Sequence, residues 1–319
     1  MVNFLVTGAT GLIGSALVKF LSNGNNHIVC PVRNLEKAKR IFNDDQNSNI
    51  EFVKTGISDF LSASNDMFDY IIHCASPTSS RYFIKNPVET LTFGIDSTVA
   101  ILEYSRKNPV KSIVYLSSLE SYGTVTDDSK SIDEDYQGYI NPLDIRSSYN
   151  IVKRTCECLC HSYYAEYGVP VKIIRLTQTI SPFIQNSDMR VFAQFARKAA
   201  EGKDIELHTE GSSSRQYIFI DDAISAIMTI LIKGESGEAY NAANDQTYIS
   251  ARDLADFVQK NFNPSGKVIF KLRNDMGYAP TTKLKLNITK LKALGWNAQT
   301  SLYSMFLTLI TNLKRIPNH

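Results

Sequence analysis

Short apolar runs recur along the first half of the chain, at residues 2–7, 27–32, 51–54, 69–74, 112–117 and 171–176. Their length and bounding turn residues predict strands. Helical-period stretches stand at 12–21, 88–107 and 147–167. Repeated strand-helix-strand units predict an α/β fold, a Rossmann-type doubly wound parallel sheet with right-handed crossovers. After residue 176 the pattern loosens. Residues 181–188, with Pro182 and Asn186, lead into a predicted helix at 189–201, and short elements follow to residue 293. The expected division is a first domain at 1–176, to which 212–245 returns, and a smaller C-terminal substrate-binding lobe at 177–319. No flexible linker, internal repeat or low-complexity segment is expected between them.

Composition narrows the classes. A chain of 319 residues with 43% hydrophobic content can bury a core of that size. The net charge of +2 is not gathered into a basic stripe, so nucleic acid is not an expected partner. No apolar stretch reaches bilayer-spanning length, and the first residues read as a core strand rather than a signal peptide. Cys30, Cys74, Cys156, Cys158 and Cys160 fit a reduced, cytoplasmic setting. Cys156 and Cys160 share a helix face and read as small core residues, so no metal site is expected.

The segment VTGATGLIG places Gly8, Gly11 and Gly14 between the first strand and the first helix. Gly8 permits the tight turn, Gly11 lets backbone approach a phosphate, and Gly14 lets helix and strand pack closely. Thr10, Leu12 and Ile13 complete a loop and helix N-terminus suited to a dinucleotide pyrophosphate. The second strand ends in Cys30-Pro31-Val32-Arg33-Asn34, without the Asp or Glu that would pair ribose hydroxyls. Arg33 suits a 2′-phosphate or stands as a solvated surface residue, so NAD and NADP both remain open. Ile57 is placed beside the adenine, and Cys74, Ala75 and Ser76 on the cofactor floor. Tyr149 and Lys153, four apart on a helix, project from one face. Positive charge from Lys153 and an oxidised nicotinamide is expected to lower the phenol's pKa, letting Tyr149 accept a hydroxyl proton as hydride leaves for the ring. Ser118, after the fifth strand, is placed to bond the same oxygen.

The glycine spacing resembles that of short-chain dehydrogenases/reductases. SSLESYG (117–123) and NPLDIRSSYNIVKR (141–154) look like the catalytic turn and tyrosine helix of the extended, sugar-nucleotide-modifying members, the NAD-dependent epimerase/dehydratase family. SRQYIFIDD (214–222) resembles the family's late strand and AYNAAND (239–245) its substrate-side turn. Within the family the likeness is greatest to UDP-glucuronate decarboxylases, through HCASPTS, NPVETL, and Arg146 and Ser147 before the tyrosine. It covers most of the chain; the last sixty residues match only at LKALGW.

The resemblance implies oxidation of a sugar C4 hydroxyl, followed by decarboxylation or epimerisation. It implies tightly bound NAD, a nucleotide-sugar substrate, and a homodimer formed through helices 88–107 and 147–167. Glu120 matches an acid used near C5, Arg190 an arginine of the decarboxylases' substrate segment, and Arg215 one that grips nucleotide phosphates. Arg146 and Gln178 complete the implied substrate set. Three departures stand out. Leu119 replaces the Asp that protonates a leaving hydroxyl in 4,6-dehydratases, which disfavours dehydration. Gln178, Ile180, Ser181 and Pro182 replace the family's Asn and aromatic-Gly-Pro. Gly94 replaces a helix Asn tied to the water relay behind the lysine. Two other readings stay open: an NADPH-dependent carbonyl (4-ketosugar) reductase, and a non-catalytic dinucleotide-binding regulator, which the intact Ser118, Tyr149 and Lys153 disfavour.

Overall fold

The computed structural model of the protein describes residues 1–42, 49–273 and 281–315. In chain order the first half runs β1 (Val2–Thr7), α1 (Leu12–Ser22), β2 (Asn26–Val32), α2 (Leu35–Phe42), β3 (Ile50–Lys54), α3 (Ile57–Ala63), β4 (Tyr70–His73), α4 (Ser80–Lys85), α5 (Pro87–Lys107), β5 (Ser112–Ser118), α6 (Ser148–Tyr167) and β6 (Val171–Leu176). The second half adds β7 (Gln178–Ile180), α7 (Val191–Ala200), β8 (Ile205–Leu207), β9 (Ser214–Phe219), α8 (Ile220–Lys233), β10 (Ala239–Ala242), β11 (Asn244–Ser250), α9 (Ala251–Phe262), β12 (Val268–Phe270), β13 (Lys283–Leu284), α10 (Thr289–Ala293) and α11 (Leu302–Arg315).

Seven parallel strands form the central sheet in the order β10-β6-β5-β4-β1-β2-β3. Alternate residues of each strand feed opposite cores, because successive side chains of a strand point to opposite faces. Phe4, Val6, Ile72, Val114 and Ile174 pack on the side of α1 and α8. Leu5, Ile71, Ile113, Tyr115 and Ile173 pack on the side of α3, α5 and α6. With both faces covered, the strands read as continuous apolar runs rather than as an alternation.

The second half is shared between layers. Residues 214–219 form the centre of a second sheet, in which β9 pairs with β7, β11 and β13. The chain then returns: α8 packs on the central sheet and β10 becomes its edge strand beside β6. Residues 239–242, read above as part of a turn, are thus a strand, since Ala239 to Ala242 pair in register with Ile173 to Leu176. Cys156 and Cys160 are buried and Cys158 is exposed, as the helical spacing implies. Gly94 lies where α5 meets α6, and a Cβ there would stand 2.5 Å from Val152. The absence of a side chain is therefore a packing requirement of this helix pair. No helix among the described residues is long and apolar enough to cross a membrane.

Candidate active site

Strand order reverses between β1 and β4, which opens a crevice at the carboxyl ends of the central strands. The glycine loop fills one side of it. Gly8 has φ +73°, and a Cβ there would lie 2.7 Å from the Ala75 amide nitrogen, so β1 and β4 end in direct backbone contact. Gly11 N–H donates to the Gly8 carbonyl at 2.9 Å. Gly11 also caps α1 without any side-chain hydrogen bond, leaving the first-turn N–H groups unclaimed by a capping residue. Close backbone approach beside an uncapped helix N-terminus fits a dinucleotide pyrophosphate. Thr10, Leu12 and Ile13 are half-buried around this turn. Cys74, Ala75 and Ser76 follow β4 against the loop. Ile57 opens α3, but its side chain is buried in the core under that helix. Arg33 is exposed and its guanidinium lies over the Phe93 ring, 5.5 Å from the centroid.

The structure brings Ser118, Tyr149 and Lys153 together. Ser118 ends β5, and its hydroxyl lies close enough to the Tyr149 phenol to favour the ionised form. Tyr149 is buried and stacks on Phe83 with centroids 5.1 Å apart and an interplanar angle of 11°. One helical turn on, the Lys153 ammonium lies 5.7 Å from the Tyr149 ring centroid and donates to the Leu116 carbonyl at 2.7 Å. Below them His73 is fully enclosed. Its Nδ1 is 2.7 Å from the Thr7 hydroxyl, and Ser97 and Thr98 hydroxyls stand 3.4 Å from its Nε2. Burial, then the nearby Lys153 charge, depresses its pKa to about 3, so this imidazole is neutral.

Burial raises the Tyr149 phenol above its ordinary range; the nearby Ser118 hydroxyl and the Arg190 charge oppose this, and the Glu120 charge adds to it. The Lys153 pKa falls to about 8 through burial, partly offset by nearby Cys156 and Glu157. The unfolded chain holds that proton to about pH 10.4. Between these values the unfolded state binds more protons, so this group makes stability rise with pH. In cofactor-free protein, the stability difference between wild type and Lys153→Met should move by roughly 2 kcal/mol in favour of wild type from about pH 7.5 to about pH 9.5. Urea denaturation of both proteins at the two pH values measures this, and a constant difference contradicts it.

The proposed substrate side chains are less uniformly gathered. Glu120 lies within electrostatic range of Tyr149, in the 3-10 turn Leu119–Tyr122. Leu119 is buried in the core and offers no proton donor. Arg190 also acts on Tyr149, yet its guanidinium is held by both Asp188 carboxylate oxygens, with the Thr179 carbonyl at 3.2 Å. Arg190 and Arg215 both act on the buried Tyr217. Gln178 opens β7, and its Oε1 is a buried acceptor without a protein partner, a group suited to a ligand donor. Arg146 sits in the 3-10 turn Ile145–Ser147 just before Tyr149, half-buried.

Sequence reading missed a buried ion pair behind the site. Arg175 of β6 makes a bidentate bridge to Glu157 of α6, with its Nη2 2.7 Å from Oε2, and Ser117 Oγ donates to the same carboxylate. This ties β5, β6 and α6 together one turn beyond Lys153. An arginine inside the mostly apolar run Val171–Leu176, and a glutamate four residues after Lys153, were the available signals. A cavity of about 620 Å³ beside α6 is lined by Tyr122, Arg154, Glu157 and Arg175, and by none of Ser118, Tyr149 or Lys153.

A model described as "NAD dependent epimerase/dehydratase family" matches residues 4–243. UDP-glucuronic acid decarboxylase 4 of Arabidopsis thaliana is 28% identical over 300 residues, covering 93% of this chain and 65% of that protein. The chain thus spans just under two thirds of that relative's length. UDP-N-acetyl-alpha-D-glucosaminuronate decarboxylase of Bacillus cytotoxicus is 27% identical over 296 residues, covering 91% of this chain and 90% of that protein. The structure of UDP-glucose 4-epimerase from Thermotoga maritima, solved with UDP-glucose, superposes with a TM-score of 0.83 at 21% identity, covering 98% of this chain and 99% of that one.

Proposed function

We propose, from the premise that the chain belongs to the NAD dependent epimerase/dehydratase family, that it is an enzyme that oxidises the C4 hydroxyl of a nucleotide-linked sugar and then releases the sugar's C6 carboxylate as carbon dioxide. The observation that carries this reading is the meeting of Ser118, Tyr149 and Lys153 at the glycine-loop crevice, with Glu120 within electrostatic range of the phenol.

The loop Gly8 to Gly14, with Thr10, Leu12 and Ile13, holds the pyrophosphate of a nicotinamide dinucleotide, and Cys74, Ala75 and Ser76 line the floor beneath it. A bound nicotinamide would supply reversible hydride chemistry at the sugar C4. Tyr149 accepts the proton of the C4 hydroxyl while Ser118 holds that oxygen. The Lys153 ammonium gives the site positive charge where the phenol must lose its proton, and the resulting phenolate is the base that burial alone would disfavour. Oxidation at C4 makes a C6 carboxylate the β-carboxylate of a ketone. The C5–C6 bond then breaks, its electron pair moves toward the C4 oxygen held by Ser118 and Tyr149, and C5 takes up a proton. Glu120 stands on the C5 side of this chemistry. Leu119 leaves no acid to expel a hydroxyl, which supports decarboxylation over dehydration. Gln178, Arg190, Arg215 and Arg146 bind the nucleotide sugar, and the Gln178 acceptor selects a donor on it.

Glu120→Gln is expected to leave C4 oxidation within about threefold of wild type while slowing product formation at least about 100-fold. Rapid mixing with UDP-glucuronate, following reduced cofactor by absorbance and product by mass spectrometry, separates the two steps. Normal product formation by this variant would remove Glu120 from the mechanism. Arg33 supports a second reading of the cofactor, since no carboxylate stands at the end of β2 to pair ribose hydroxyls. Arg33→Asp should weaken NADP binding relative to NAD by about tenfold, the loss of one charge-assisted contact. Titration with both dinucleotides reads this ratio, and an unchanged ratio assigns Arg33 to its Phe93 contact alone.

The function itself is tested by incubating purified protein and its co-purified cofactor with UDP-, TDP-, CDP- and GDP-sugars. Loss of carbon dioxide from a uronate supports the proposal. Inversion without mass change replaces decarboxylation with epimerisation, and consumption of NADPH with no C4-oxidised product favours a carbonyl reductase.

A further inference from the structure

Tyr149 and Lys153 occupy one stripe of α6, and the neighbouring stripe, Asn150 and Arg154, faces the turn that carries Glu120. The Asn150 amide donates to the Glu120 main-chain carbonyl at 2.7 Å and stands 3.4 Å from its carboxylate Oε2. The Arg154 guanidinium donates through Nε to the Ser121 carbonyl at 2.6 Å, and through Nη2 to the Tyr122 carbonyl at 3.0 Å and the Gly138 carbonyl at 2.7 Å. Among the described residues no carboxylate lies within 4.0 Å of Arg154; its hydrogen bonds go to carbonyl oxygens, and the Glu157 charge acts on it from farther away. Three carbonyls on one planar fork fix direction as well as distance, which a lysine at the same place cannot do.

We infer that Asn150 and Arg154 are positioning residues that clamp the Leu119–Tyr122 turn to α6 and so hold the Glu120 carboxylate in register with the Tyr149 phenol. The same helix then sets both ends of the reaction: residues 149 and 153 serve the C4 oxygen, and residues 150 and 154 fix the acid that acts after it. Gly138 fits this clamp, because a Cβ there would overlap the Tyr122 carbonyl, so the 138 loop lies directly against the turn that Arg154 grips. Glu120 N–H to Ser118 Oγ at 3.2 Å links the turn back to the serine. The kinetic side of this inference rests on the role proposed for Glu120; the structural side does not.

The test compares wild type, Arg154→Met, Arg154→Lys and Asn150→Leu, each first checked for native circular dichroism. In Arg154→Met, amide hydrogen exchange at residues 120–123 should quicken about tenfold or more while the α6 amides keep their protection. With UDP-glucuronate the same variant should lose about tenfold more in the step after oxidation than in oxidation itself, and Arg154→Lys should recover part of that loss. Asn150→Leu should show the same bias. Unchanged exchange in the turn, or equal loss in both steps, overturns the inference. Should wild type oxidise no nucleotide sugar, the proposed function fails, while the exchange experiment still decides whether α6 clamps the turn. If Arg154→Met does not fold, Arg154→Lys and Asn150→Leu supply the same two readouts.

Discussion

Tyr149→Phe is expected to lower turnover by about 10³-fold while leaving dinucleotide affinity within about twofold of wild type, since a positioned proton acceptor contributes of that order. The substitution removes one oxygen and keeps the ring, which remains stacked on Phe83. The Lys153 ammonium stays over the aromatic face and keeps its bond to the Leu116 carbonyl. The only polar group lost is the phenolic hydroxyl near Ser118, so stability should change by about 1 kcal/mol or less. The separation is what gives the experiment its force. Loss of activity with an unfolded or cofactor-free protein would mean a structural fault, whereas loss with both intact isolates the phenolic hydroxyl. Steady-state rates, dinucleotide titration and thermal denaturation on the same preparation read all three, and near-normal turnover would remove Tyr149 from the chemistry.

Gly14→Ala is expected to be the most damaging single-methyl change near the crevice. A Cβ at Gly14 would overlap the Gly8 carbonyl oxygen and lie 2.8 Å from its carbon and 3.1 Å from Ala9 Cα. These are backbone atoms of the loop itself, so no rotamer change relieves the clash. Helix α1 must move away from the turn. Overpacking of this kind costs about 3 kcal/mol, and the displaced helix N-terminus should weaken dinucleotide binding by about tenfold or more through its lost dipole and N–H contacts. Urea denaturation and dinucleotide titration of the variant check both effects. Wild-type stability together with wild-type affinity would show that the loop tolerates a wider spacing than its geometry allows.

Much of the central sheet was legible because its strands are buried on both faces. A strand covered by helices on each side must be apolar at consecutive positions, and runs such as 2–7, 112–117 and 171–176 announce this directly. The paired positions 149 and 153 were legible for a similar reason, since helical periodicity alone places them on one face. The short strands outside the central sheet were not. Gln178–Ile180, in the second sheet, and Ile205–Leu207, paired with Val268–Phe270, are three residues each and draw their identity from distant partners, which local pattern does not encode. Residues 239–242 were placed in a turn by resemblance, and the polar Asn241 gives no local sign of a buried strand. In the structure that side chain is fully enclosed, accepting from the Tyr122 hydroxyl at 2.7 Å and donating to the Ile132 carbonyl at 3.1 Å. The direction of the Tyr149 shift was also out of reach, because it depends on how deeply the phenol is enclosed. The grip of Arg154 was invisible for a further reason: its acceptors are main-chain carbonyls, which every residue carries and no motif marks.

The central claim is that a phenol, an ammonium and a serine hydroxyl meet at the reactive edge of a nicotinamide held by the glycine loop. A crystal structure of the protein with its dinucleotide bound tests this most directly. The account predicts the pyrophosphate against the Gly11 backbone, Lys153 within hydrogen-bond reach of the nicotinamide ribose, and the Tyr149 and Ser118 hydroxyls facing the ring's hydride-accepting carbon across a space that admits a sugar. A dinucleotide bound with its nicotinamide turned away from Tyr149, or seated elsewhere on the molecule, would contradict it.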